Sequence, residues 1–183
     1  ISRFPVDEKK VKIIPPGLDS RFLEDVPAAE LKATRKRCNL PPSFLLFVGA
    51  QVPRKNLVRF VDALKIVHLH GLQISLVLAG PEGEDTGAIR AKAESLGIGH
   101  WVMSTGYLED RDIRNVYRLA RALVLPSVCE GFGMPLIEAM ASGVPIAASQ
   151  ASAIPEVCRD AAVYFQPDSA ESMAEKVASV IED

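Results

Sequence analysis

Cysteine is scarce in this chain: three residues, Cys38, Cys129 and Cys158, among 183. An odd number without framework spacing argues against a secreted disulfide scaffold and fits a reducing compartment, with the cytoplasm as the default. An excess of one charge sign is equally lacking. Lysine plus arginine total 21 against 23 aspartate plus glutamate, a formal net charge of -2, so no global basic field recruits nucleic acid. No apolar run approaches the length of a membrane span, and no charged-then-apolar signal opens the chain. Peripheral membrane contact is therefore expected only through a part of the protein outside this chain. Internal repeats and low-complexity segments are absent. So is a carboxylate cluster spaced to hold magnesium, and no metal or other cofactor is expected. His68 and His70, two apart, point about 200° from each other on a helix and cannot share a metal there. Cys129 has no histidine near it in sequence to activate a thiolate and reads as a packing residue.

Core-forming material, by contrast, is plentiful. A hydrophobic content of 48% over 183 residues suffices for one domain with a full core. Phe44–Val48, Gln73–Ala79, Val102–Met103, Ala122–Leu125, Val144–Ala148 and Val163–Phe165 read as strands, several as continuous apolar runs typical of a parallel sheet covered on both faces. Helical patterns fall between them: a polar connector over 28–37, then Leu57, Phe60, Val61, Leu64 and Val67 at helical spacing behind Asn56, a fair helix cap. Further helices are expected over about 84–96, 109–119 and 169–181, with a short one opening near Pro135. Val11–Asp19 is expected to form a short strand ended by a Pro-Pro-Gly turn. Strands alternating with helices imply an α/β fold, a Rossmann-like doubly wound parallel sheet. Ligands of such folds sit at the carboxyl ends of the strands, where the loops at 49–56, 80–83, 104–107 and 126–134 gather.

The last of these loops is the most informative stretch. After Pro126-Ser127 the chain reads Glu130-Gly131-Phe132-Gly133-Met134-Pro135 and enters a helix. Proline suits a first helical turn, and a helix N-terminus with glycines before it presents free amides and partial positive charge to an anion. Glu130 and Glu138 bracket this phosphate seat, Glu138 expected on the first turn. Carboxylates repel phosphate, so they are expected to accept hydrogen bonds from hydroxyls at the two ends of a diphosphate. A diphosphate with a sugar at each end is a nucleotide sugar. Arg54 and Lys55 at the start of another helix are disfavoured by the helix dipole unless an anion answers them.

Pro126-Ser127, Glu130-Gly131-Phe132-Gly133, Pro135, Glu138-Ala139-Met140-Ala141, Gly143, Pro145 and Pro155-Glu156-Val157 together resemble the signature of the retaining GT-B glycosyltransferases grouped as family 4. The pair of glutamates separated by seven residues is part of that signature. The resemblance implies the C-terminal half of a GT-B fold, with residues 1–27 as interdomain linker and end of the N-terminal domain and 28–183 as the donor-binding domain. The chain begins without an initiator methionine, and the acceptor domain is expected upstream of residue 1. Implied roles follow residue by residue. Glu138 accepts from the ribose hydroxyls and Glu130 from the transferred sugar. Lys55 neutralises the departing diphosphate. Ala50 stands where the family commonly has an arginine, and Arg54 is the candidate to replace it. Apart from these, Gly49 matters if acceptor and donor must approach the strand end, Ser127 either bonds a phosphate or caps a turn, and Gly131, Phe132, Gly133 and Met134 are expected to line the seat. Val102, Met103 and Tyr107 fall where the family seats the base. Two other readings remain open: a non-catalytic nucleotide-binding module on the same fold, since fold alone does not assign function, and a glycoside hydrolase built on the two glutamates.

Overall fold

The computed structural model describes residues 7–12 and 14–182. Its centre is a six-stranded sheet built from β1 (Phe44–Val48), β2 (Ser75–Ala79), β3 (Val102–Gly106), β4 (Ala122–Leu125), β5 (Ile146–Ser149) and β6 (Val163–Phe165), in the order β3-β2-β1-β4-β5-β6. Every pairing is parallel. β2, β4 and β5 are buried along their whole length, whereas edge strands β3 and β6 are partly exposed. Burial on both faces is why the central strands carry unbroken apolar runs rather than an alternating pattern.

Helices α1 (Ala28–Arg37), α2 (Leu57–Leu69), α3 (Thr86–Ser95), α4 (Asp110–Leu119), α5 (Met134–Ala141), α6 (Ile154–Cys158) and α7 (Ala170–Glu182) cover the sheet. α2 packs between α3 and α7, and α1 packs on α4. Leu57, Phe60, Val61, Leu64 and Val67 form the buried stripe of α2, because positions three and four apart share one helix face. Leu64 is fully buried, so truncation to alanine there would cost about 2 to 5 kcal/mol.

The strand order reverses direction between β1 and β4. Chain segments leaving these two strands diverge, and the crevice between them opens at the carboxyl ends. The loops after β1, β2, β3 and β4 meet at that end, as the sequence suggests.

Three expectations are corrected, and one short helix was not foreseen. β5 starts at Ile146 rather than Val144, because the Val144 amide still donates to Ala139 O at the end of α5 and Pro145 has no donor for the ladder. No strand forms at Val11, Lys12 or Ile14, and Ile13 lies outside the described residues. Asn56 is no side-chain cap: its backbone is left-handed (φ 57°), and its amide instead donates to Pro126 O at 3.1 Å and Pro167 O at 2.7 Å. Helix α6, with Pro155 in its first turn, was not apparent from apolar spacing because it is a single short turn and a half.

Candidate functional site

Behind β1 the chain turns through Gly49 and a 3-10 turn over Pro53–Lys55. This turn carries Arg54 outward and Lys55 inward: the Arg54 side chain is 53% exposed and that of Lys55 7%. Lys55 Nζ donates to Glu130 Oε1 at 2.5 Å, Ser127 Oγ donates to the same oxygen at 2.6 Å, and Arg54 Nη1 donates to Glu130 Oε2 at 3.1 Å. Four residues from two distant loops thus form one charge cluster. Burial pushes the Glu130 carboxyl up, but the hydrogen bonds from Lys55 and Ser127, with the charges of Lys55 and Arg54, outweigh it and hold the group below its ordinary value of 4.5. Glu130 is therefore an anion at neutral pH, with both oxygens already accepting.

The loop after β4 is tied down by its backbone. Ser149 Oγ donates to Ser127 O, Ser152 Oγ donates to Glu130 O at 2.7 Å, and Val128 N donates to Arg54 O at 2.9 Å. Gly133, at φ 95°, is the left-handed residue from which α5 starts, and no side chain caps the helix. A Cβ there would meet Leu136 Cδ1 at 2.7 Å. Glycine is required by both conformation and space. Pro135 has no amide hydrogen and Leu136 N donates to Gly133 O at 2.9 Å, so the first turn of α5 offers chiefly the amide of Met134 to an anion. Glu138 stands on the second turn of α5, not the first, because the helix begins at Met134.

A cavity of about 390 Å³ opens at the carboxyl ends of β1 and β2, walled by Val48, Gly49, Ala79, Gly80, Tyr107 and Glu138. Glu138 Oε2 accepts from Tyr117 OH at 2.6 Å. Burial raises the Glu138 carboxyl above 4.5, an effect that the Tyr117 hydrogen bond only partly offsets. Gly49 joins this cavity to the charge cluster, since a Cβ at Gly49 would lie 3.7 Å from Lys55 Nζ. Gly80, at φ 140°, passes so close to Gly49 that its Cβ would lie 2.4 Å from Gly49 O. The two glycines let the ends of β1 and β2 form a thin floor.

Arg54, Lys55, Ser127 and Glu130 are brought into direct contact, and Gly49, Tyr107 and Glu138 share the adjoining cavity. Gly131 and Phe132 line a separate recess with Val157 and Arg159. Val102 and Met103 do not join Tyr107: they open β3, pairing with Leu76 and Val77, and so sit toward the amino end of the sheet. A parallel strand separates its first and last residues by its own length, and only the last reach the crevice. Asp19, Arg21 and Phe22 also wall the cavity, a role hidden in a segment whose composition reads as linker. The available signal was Phe22-Leu23, an apolar pair among charged neighbours, of which Phe22 is the one buried side chain of the 3-10 turn Ser20–Leu23.

A profile of the family described as "Glycosyl transferases group 1" matches residues 31–183. The chain belongs to this family. As a group 1 glycosyltransferase domain it is 28% identical over 165 residues to O-antigen chain mannosyltransferase B of Escherichia coli, covering 90% of this chain and 43% of that protein. It is 31% identical over 152 residues to mannosylfructose-phosphate synthase of Agrobacterium fabrum, covering 79% and 34%. The chain thus spans less than half the length of these curated relatives. Among solved structures, Anabaena HepE in complex with UDP and glucose superposes with a TM-score of 0.83 at 20% identity, covering 98% of this chain and 49% of HepE. The C-terminal domain of a group 1 glycosyl transferase, LpcC of Francisella tularensis, superposes with a TM-score of 0.74 at 23% identity, covering 91% and 89%. These likenesses establish the fold, the Rossmann-like half of a GT-B fold.

In this glycosyltransferase domain no group of three or more histidine, cysteine, aspartate or glutamate side chains is placed to hold a metal ion among the described residues. Nor is any described helix long and apolar enough to cross a membrane.

Proposed function

We propose that this chain is the donor-binding domain of a retaining, family 4 hexosyltransferase that takes sugar from a nucleoside-diphosphate sugar. Residues 1–27 are the interdomain linker and end of an N-terminal domain and 28–183 the donor domain, with the acceptor held by that further domain. The observation that carries the reading is the meeting, at Gly49, of a cavity bordered by Glu138 with a cluster holding Lys55, Arg54 and Glu130.

In this reading the nucleoside enters the cavity, its ribose hydroxyls donate to Glu138, and the exposed ring of Tyr107 offers a stacking face to the base. The diphosphate lies toward Lys55, Ser127 and the N-terminus of α5 at Met134. Electrostatic stabilisation of the charge that develops on the leaving diphosphate comes from Lys55, Arg54 and the helix N-terminus, without a metal. Glu130 exchanges part of its bond set for hydroxyls of the transferred sugar. The mannosyltransferase relatives make mannose donors the first to try, and support a place in polysaccharide or glycoconjugate synthesis. The three free cysteines are compatible with a cytoplasmic setting.

A glycoside hydrolase is disfavoured on specific grounds. Such an enzyme needs a carboxyl with a raised affinity for its proton opposite a second carboxyl across the scissile bond. Burial gives Glu138 such a raised carboxyl, but Glu130 is held ionised with both oxygens occupied by Lys55, Ser127 and Arg54, which leaves no free carboxylate to act opposite it.

The test is calorimetry of this chain with UDP-, GDP-, ADP- and dTDP-sugars in EDTA, alongside an acceptor-transfer assay. Binding of one nucleotide series without metal, and no transfer by this chain alone, is expected. Binding that requires magnesium overturns the metal-free site, and a failure of every nucleotide to bind overturns the donor reading.

A further inference from the structure

Tyr117 lies in the last turn of α4 and has no exposed surface. Its hydroxyl donates to Glu138 Oε2 at 2.6 Å, a short, charge-assisted bond. We propose that Tyr117 is a positioning residue for Glu138, holding one carboxylate oxygen so that the other is presented to the ribose hydroxyls of a bound nucleotide. This rests on the reading of Glu138 given above.

The simpler account makes Glu138 only the partner that any buried phenol needs. Three observations favour more than that. First, Glu138 borders the cavity, and its Oε1 has no protein donor among the described residues. One oxygen is committed and the other is available. Second, the tyrosine ring cannot swing. Phe22 stacks edge-on against it, with centroids 5.7 Å apart and planes at 76°. The Phe22 segment is itself pinned, because Arg118 Nη2 donates to Phe22 O at 2.8 Å and Glu24 O at 2.5 Å, and Arg114 Nη1 donates to Arg21 O at 3.1 Å. Third, the direction of the bond is settled. Burial, then the adjacent Glu138 charge, keep the Tyr117 proton on its oxygen, so the tyrosine donates and the carboxylate accepts.

A flexible glutamate on a helix ordinarily samples several rotamers, and freezing one on ligand binding weakens affinity. A hydroxyl fixed in the core removes that loss in advance. The consequence is selective: it concerns ligands that carry ribose hydroxyls and no others.

The test uses Tyr117→Phe, which keeps the ring and deletes the donor, in calorimetry with UDP and GDP and with their 2′,3′-dideoxy counterparts. Thermal unfolding of each variant accompanies the titrations. Wild type should prefer the ribonucleotide. Tyr117→Phe should lose about three- to ten-fold in ribonucleotide affinity, the size of one lost hydrogen bond, and leave dideoxynucleotide affinity unchanged. Tyr117→Met, which fills the buried space without a donor, is the second variant and should show the same selective loss. Equal losses for both nucleotide classes would reduce Tyr117 to a packing role, and an unchanged preference would overturn the proposal while leaving Glu138 in place. A wild type blind to the ribose hydroxyls would remove Glu138 from the site and the proposal with it.

Discussion

Lys55 and Glu130 lie on loops that follow two different strands, yet Nζ and Oε1 meet at 2.5 Å with both side chains less than a tenth exposed. A pair buried this far is stable only while both partners and their further hydrogen bonds are present. Lys55→Met leaves Glu130 with Ser127 and the more exposed Arg54. It should destabilise the domain by about 3 to 5 kcal/mol. Adding Glu130→Gln should recover much of that loss, because the stranded charge is gone. Urea denaturation of the single and double variants measures the coupling, and strictly additive effects would show that the pair is not a unit.

The two cations should matter unequally to a diphosphate. Lys55 is desolvated and beside Gly49, whereas Arg54 is half exposed and screened. Lys55→Ala is therefore expected to weaken nucleoside diphosphate binding more than Arg54→Ala, and raising the salt concentration should erode the Arg54 contribution first. A larger loss at Arg54 would make it the principal phosphate partner and reverse the assignment.

Glu138→Ala should lower nucleoside diphosphate affinity by about ten- to hundred-fold, the range for losing a charged acceptor. The pH dependence adds a sign. Burial raises the Glu138 carboxyl above 4.5; Tyr117 lies within hydrogen-bond reach of it, and Asp19, Arg21, Tyr107, Asp110 and Arg114 are the titratable side chains that share its cavity. Affinity should fall as pH drops from neutrality through the raised value toward 4.5, since only the ionised form accepts two donors. Stability from this group moves the other way. Its folded pKa exceeds its unfolded one, so the folded state takes up the proton first and gains as pH falls through that folded value. Glu130 has the opposite shift, and its contribution, present above the unfolded value, is lost only as pH falls through its lowered folded value. Calorimetry of wild type and Glu138→Gln across this range separates the site from the ligand: the same slope in both would place the titration on the nucleotide.

Gly80→Ala tests the floor of the cleft. Its φ of 140° and the 2.4 Å approach of a Cβ to Gly49 O force backbone movement, at a cost of about 1 to 3 kcal/mol. Both the melting temperature and nucleotide affinity should drop. A melting temperature unchanged from wild type would show that β1 and β2 can part at no cost.

The sequence by itself determined the sheet and marked the loops at its carboxyl edge that hold the candidate site. Unbroken apolar runs such as Phe44–Val48 and Ala122–Leu125 are legible because a doubly covered parallel strand leaves no face for water, and Glu130-Gly131-Phe132-Gly133 is legible because a glycine-rich turn into a helix has few other physical uses. Only the tertiary structure decided which groups meet. That Glu130 is saturated by Lys55, Ser127 and Arg54, that Tyr117 reaches Glu138 from another helix, that Phe22 closes over it, and that Val102 and Met103 fall away from the crevice are facts of strand order and register. Local pattern reports which face of an element is buried. Which distant side chain lies against that face depends on how the strands are ordered and how far each is shifted along its neighbour, and neither quantity is a property of any short stretch of chain.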